Sequence, residues 1–195
     1  AVQKPAERKA AFEQLIKLIE EKEYHLDVGV LGGRVLFHVL TEFGYSDLAF
    51  SMITRPDYPS YGNWIVRGAT TLWEVFQPEG SDRIGSLNHH FWGDISSWFT
   101  QALSGIRMAP HGESDEVDFR PSFISRLTHA EAFHIAPAGR IASAWERDED
   151  DVIVLTVELP STMHGVIRLE SGYVFEDGLA YKAAESGTYR IHSIE

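Results

Sequence analysis

APHGESDEVD, residues Ala109–Asp118, is the stretch where this chain changes character. Before it, apolar residues recur at helical spacing; beyond it, the period shifts toward two. Pro110, His111 and Gly112, followed by the acidic run Glu113 to Asp118, predict a linker, because Pro and Gly interrupt regular structure and clustered like charges favour solvent. The fold class that follows is mainly α and then β, with helices over residues 1–109 and a small antiparallel β-sandwich over 110–195.

On the N-terminal side, Phe12, Leu15, Ile16 and Ile19 form one apolar stripe, with Pro5 suited to a first helical turn. Leu36, Val39, Leu40 and Phe43 form a second, ended by Gly44. Leu48, Ala49, Met52 and Ile53 form a third, stopped by Pro56. Ile95, Trp98, Phe99, Ala102 and Ile106 form a fourth, which Gly93 or Asp94 can cap. Between the third and fourth, Arg55 to Trp64 is rich in Pro, Tyr and Gly and reads as a structured loop. On the C-terminal side, Asp151 to Leu159 is a β-rich run closed by Pro160, Val166, Ile167 and Leu169 form another, and Tyr189 and Ile191 alternate with Arg190 and His192. Short strands between Gly, Ser and Asp turns predict the sandwich.

The 195 residues are 44% hydrophobic and 12% aromatic, ample for a packed core. Seventeen basic against twenty-nine acidic residues give a net charge of -12, which repels phosphate backbones and anionic membrane surfaces and argues against nucleic acid as a partner. No uninterrupted apolar stretch is long enough to span a bilayer, and the first residues are charged and helical in pattern, unlike a secretory signal. Without cysteine there is no disulfide, thiolate nucleophile or cysteine metal site.

Two polar-aromatic runs carry the chemistry: GATTLWEVF (Gly68–Phe76) and SLNHHFWGD (Ser86–Asp94). They place Glu74 among rings and imidazoles, where a carboxylate can do acid–base work and where Trp73 and Phe76 can exclude bulk solvent. The structural alternative is a Glu near a helix start, complementing the helix dipole. His89 and His90 are the next candidates. Adjacent residues on a strand or helix point in different directions, so the two are not expected to face one ligand; the alternative is a core histidine satisfied by backbone. The pair supplies no third ligand for a metal. Trp64, like Tyr58 and Tyr61, can stack on the C–H face of a sugar or anchor its loop. His25 to Phe37, HLDVGVLGGRVLF, is glycine-rich but lacks the spacing of a phosphate loop. His129, Glu131 and His134 are close in sequence, with no geometric reason to form a site.

Taken in order, HLDVGVLGGRVLFHVL (25–40), GYSDLAFSMI (44–53), YPSYGNWIVRGATTLWE (58–74) and SLNHHFWGDISSWF (86–99) resemble the bacterial α-L-rhamnosidases of glycoside hydrolase family 78. IASAWE (141–146), VELPSTMHGVIRL (157–169) and SGTYRI (186–191) are similar to the family's C-terminal β-domain. The resemblance implies the C-terminal part of an (α/α)6 barrel over 1–109, then a β-sandwich over 110–195, and hydrolysis of terminal α-L-rhamnosyl groups from glycosides with inversion. It implies Glu74 as general base and His89 as a sugar contact supported by Asn88, and it calls for no metal or cofactor; from their ring chemistry beside the motif, Trp64 and Trp73 are added as candidate substrate-binding residues. Gly33 stands where the family has Thr, and a Gly can still cap a helix. The family's general acid sits on an acidic, Arg-containing motif well upstream, to which nothing here corresponds. The expectation is therefore a C-terminal portion whose acid lies outside the chain, inactive in isolation, and which self-associates or assembles with the missing N-terminal half through exposed apolar stripes. The alternative is a non-catalytic sugar-binding or interaction module.

Overall fold

The computed structural model describes residues 4–82, 85–108 and 115–194. Helices come first: α1 Pro5–Glu21, α2 Val30–Glu42, α3 Ser46–Thr54, α4 Tyr61–Val66 and α5 Asp94–Trp98, the last running into a π-helical turn, Phe99–Leu103. Nine strands follow among the described residues: β1 Ile106–Met108, β2 Glu116–Phe119, β3 His129–Ala136, β4 Gly139–Arg147, β5 Ile153–Glu158, β6 His164–Arg168, β7 Tyr173–Phe175, β8 Tyr181–Ala183 and β9 Gly187–Ser193. The chain divides into two compact units, residues 1–35 with 48–93 and residues 36–47 with 94–195.

In the first unit α1 opens with Pro5 in its first turn, where the missing N–H costs nothing. Its Phe12 and Ile19 are buried. The segment expected to be a loop from Arg55 to Trp64 contains α4. Ser60 starts that helix as its N-cap, its hydroxyl accepting from Asn63 N–H at 2.9 Å. The local signal was the serine, outweighed in the sequence by the surrounding Pro, Tyr and Gly. Gly33 lies inside α2 and caps nothing; a Cβ there would stand 2.4 Å from Cζ3 of Trp92, so the position is small because an indole covers it.

In the second unit Gly44, with φ +80°, closes the stripe Leu36–Phe43 as expected, and Tyr45 N–H returns to the Leu40 carbonyl at 2.8 Å. The fourth stripe is shorter than its periodicity suggests. Gly105 adopts φ +78° and ends it, so Ile106 belongs to β1 and pairs with Phe119. Of the expected linker, Pro110, His111, Gly112 and Glu113 lie outside the described residues, and Glu116–Asp118 are strand. Their alternation, with Val117 buried and Glu116 exposed, is a strand pattern that the acidic composition masked.

The strands build two sheets, ordered β1-β2-β6-β8 and β3-β4-β5-β9-β7. All pairs are antiparallel except β2 with β6, which is parallel. Val117, Phe119 and Ile167 from the first sheet and Ile141, Trp145, Leu155 and Ile191 from the second share one core, which makes this a β-sandwich. Trp145 donates its indole N–H to the Leu103 carbonyl at 2.6 Å, so the largest core ring is also hydrogen-bonded. His129 and Glu131 share one parity of the edge strand β3 and His134 has the other, so they do not converge.

Candidate active site

Between α4 and α5, residues 69–93 form neither helix nor strand over their described length, but the backbone ties them into two adjacent arms. Glu74 N–H donates to the Ser86 carbonyl at 2.8 Å, and His89 N–H to the Leu72 carbonyl at 2.8 Å. Thr71 adds a hydroxyl bond to the Leu87 carbonyl. These bonds bring GATTLWEVF alongside SLNHHFWGD.

Glu74 is half-buried and lies on an arm, not in a helix, so helix-dipole complementation does not explain it. Its carboxylate accepts the Ser86 N–H through Oε2 at 2.8 Å, while its carbonyl accepts the Trp92 indole N–H at 3.0 Å. Among the described residues no hydrogen bond reaches Oε1. One oxygen is thus held, and the other keeps its acceptor capacity unused among the described residues.

Around Glu74 is a packed aromatic group. Trp64 stacks on Phe76 at 4.2 Å and 20°, Phe76 meets Trp92 at 4.6 Å, and Tyr61 approaches Phe76 edge-on at 5.4 Å. Tyr61 donates its hydroxyl to the Trp92 carbonyl at 3.1 Å, and Arg67 covers the Trp73 ring at 5.2 Å. Trp64 is only 2% exposed, which favours the anchoring alternative for it; Trp73, at 8%, is nearly as covered. Tyr61 is an anchor too, whereas Tyr58 is exposed. His25, which opens the glycine-rich run, is tied to Asp57 at 3.0 Å. Arg55, and then His25, hold that carboxyl far below the usual carboxylate range.

His89 and His90 contradict the expectation that neighbours diverge. The segment is neither strand nor helix, and the rings lie nearly parallel, 12° apart with centroids at 5.0 Å. Phe91 closes on His89 edge-on at 3.9 Å. The Phe91 N–H donates to His89 Nδ1 at 3.2 Å, which puts the proton of the neutral ring on Nε2 and leaves that atom a donor. Asn88 is exposed, and its main chain holds the Ser86 hydroxyl: Asn88 N–H donates to it at 3.2 Å and the Asn88 carbonyl accepts from it at 3.1 Å. Ser86 and Trp92 are the participants that sequence reasoning passed over. Both act mainly on or through backbone groups, which side-chain chemistry does not advertise. No group of three or more His, Cys, Asp or Glu placed to hold a metal ion occurs among the described residues.

Residues 1–103 match the family described as the bacterial alpha-L-rhamnosidase 6 hairpin glycosidase domain. The chain belongs to the bacterial α-L-rhamnosidase family. Residues 115–172 match that family's C-terminal domain. The succession of helices and sandwich is thus that of a six-hairpin glycosidase followed by its β-domain, as expected. An α-L-rhamnosidase of Streptomyces avermitilis is 30% identical over 202 residues, covering 94% of this chain and 19% of the relative. One of Formosa agariphila is 34% identical over 158 residues, covering 78% and 17%. The crystal structure of the S. avermitilis α-L-rhamnosidase complexed with L-rhamnose superposes with a TM-score of 0.82 at 29% identity, covering 96% of this chain and 20% of that one. The chain spans about one fifth of the length of the α-L-rhamnosidases it matches.

Proposed function

We propose that the full-length protein is an inverting α-L-rhamnosidase that removes terminal α-L-rhamnosyl groups from glycosides, with Glu74 as its general base. The observation that carries this reading is the state of the Glu74 carboxylate: Oε2 fixed by the Ser86 N–H and Oε1 free of partners among the described residues, beside the imidazole arm. In an inverting glycosidase one carboxyl protonates the leaving oxygen while an ionised one takes a proton from water on the opposite face of the sugar. Oε1 takes that proton, and the carboxylate keeps its orientation because Ser86 and the Trp92–carbonyl bond hold both ends of the residue. His89 offers Nε2–H to a rhamnose hydroxyl, and Asn88 stands beside it on the arm. Trp73 and Trp64 belong to the aromatic wall under the sugar, Trp64 acting from beneath its neighbours.

The general acid comes from outside these 195 residues. We assign residues 1–109 to the barrel and 110–195 to the β-domain, a division supported by the family matches at 1–103 and 115–172. The partner of this chain is the rest of the barrel or a second copy of itself, supported by exposed Leu31 and Val35 on α2 and Ile65 and Val66 on α4. The test of the base is Glu74→Gln in the full-length protein, assayed on an aryl α-L-rhamnoside.

A further inference from the structure

We propose that the outward face of the first sheet in the second unit is a saccharide-binding groove, taking a neutral sugar through paired arginine and carboxylate side chains. The choice of sugar rests on the glycosidase reading; the groove itself is argued from its own residues. Along β1, β2 and β6, Ile106, Val117, Phe119 and Ile167 turn to the core, so Arg107, Glu116, Asp118, His164, Val166 and Arg168 lie on the opposite face. The register sets Arg107 opposite Asp118 and Glu116 opposite His164. These residues line a depression of about 560 Å³, within the usual range for small-molecule sites of roughly 300–1,000 Å³. A second depression of about 400 Å³ shares Glu42, Arg107, Arg120 and Arg168 with it and adds Thr41 and Ser171.

The guanidinium groups are braced. Arg120 donates to Asp118 through Nε at 2.7 Å and through a terminal nitrogen, Arg168 reaches the same carboxylate through Nε at 3.3 Å, and Arg107 pairs with Glu42. Arg168 is further placed over the Tyr181 ring at 5.0 Å. These bonds leave both terminal nitrogens of Arg168, and one each of Arg107 and Arg120, without an acceptor among the described residues.

Charge decides the ligand class. Three guanidinium groups line the larger depression with three carboxylates, Glu42, Glu116 and Asp118, so a free anion meets as much repulsion as attraction. A neutral polyol fits better: its hydroxyls accept from a fixed guanidinium and donate to the exposed carboxylates of Glu42 or Glu116, at the strength of charge-assisted hydrogen bonds.

The experiment is calorimetric titration of the chain with L-rhamnose and, separately, galacturonate, repeated on Arg168→Met, Val166→Phe and His89→Ala, with melting temperature as the folding control. Val166→Phe fills the groove while leaving the ion pairs intact. The expected result is rhamnose binding that weakens at least about tenfold in Arg168→Met and Val166→Phe and persists in His89→Ala. Binding lost in His89→Ala but kept in both groove variants overturns the groove and leaves the proposed active site standing. No rhamnose binding, or preference for galacturonate, also overturns it. Groove-dependent binding together with full turnover of Glu74→Gln in the full-length protein would uphold the groove and reject the catalytic reading.

Discussion

Trp92 leaves no room at position 33. Gly33→Ala in α2 gains about 1 kcal/mol of helix propensity, but its Cβ would overlap a buried indole that donates to the Glu74 carbonyl, and overpacking costs roughly 1–3 kcal/mol. The clash wins because Trp92 is confined by Phe76 and Tyr61. Denaturant unfolding should show Gly33→Ala less stable than wild type, with quenching or a shift of tryptophan emission. Glu170 is a second residue with a definite prediction. Burial pushes its carboxyl above the ordinary glutamate value, with Asp47 adding to the effect, while the Phe123 N–H donated at 2.8 Å opposes it. A raised acid keeps its proton longer in the folded state than in the unfolded one. Its contribution is therefore complete below the ordinary glutamate value and is lost as pH rises from there through the raised value. Glu170→Gln keeps an oxygen for Phe123 and cannot ionise. Its stability profile should be flatter than that of the wild type from pH 4 to 7, and a parallel profile would contradict the assignment.

At the scale of elements, the helices and strands with uninterrupted periodicity could be read from the chain, as in Leu36–Phe43 closed by Gly44 and Ile153–Glu158 closed by Pro160. What could not be read had identifiable causes. Helix α4 is six residues long, too short for a periodic signal, and only its Ser60 cap marks it. The strand at Glu116–Phe119 is disguised by its two acidic residues, Glu116 and Asp118, within a run that composition assigns to solvent. The two arms of the proposed active site are not regular structure, so neither periodicity describes them; their pairing depends on Glu74–Ser86 and Leu72–His89 backbone bonds. The aromatic surroundings of Glu74 were legible because its sequence neighbours are aromatic, whereas the parallel imidazoles of His89 and His90 were not, since the rule for adjacent residues presupposes a helix or strand. Helix α2 carries a further consequence. Leu31 and Val35 are 76% and 55% exposed, one turn apart on the same face. Sedimentation of the isolated chain should show association that Leu31→Glu with Val35→Glu reduces; an unchanged monomer in both would contradict the proposed partner surface.

For the molecule as a whole, each unit holds one kind of chemistry. The first presents a carboxylate and two imidazoles on tied arms over an aromatic wall, and the second a sandwich whose outer face carries braced ion pairs. The central claim belongs to the first: the arms exist to hold one carboxylate where it can deprotonate water. The most direct measurement is turnover of an aryl α-L-rhamnoside by the full-length protein carrying Glu74→Gln, with rhamnose affinity determined in parallel. Gln preserves shape and the acceptor for the Ser86 N–H but removes the base. The account predicts turnover lower by about 10²–10⁴-fold with sugar affinity retained; near-wild-type turnover would contradict it.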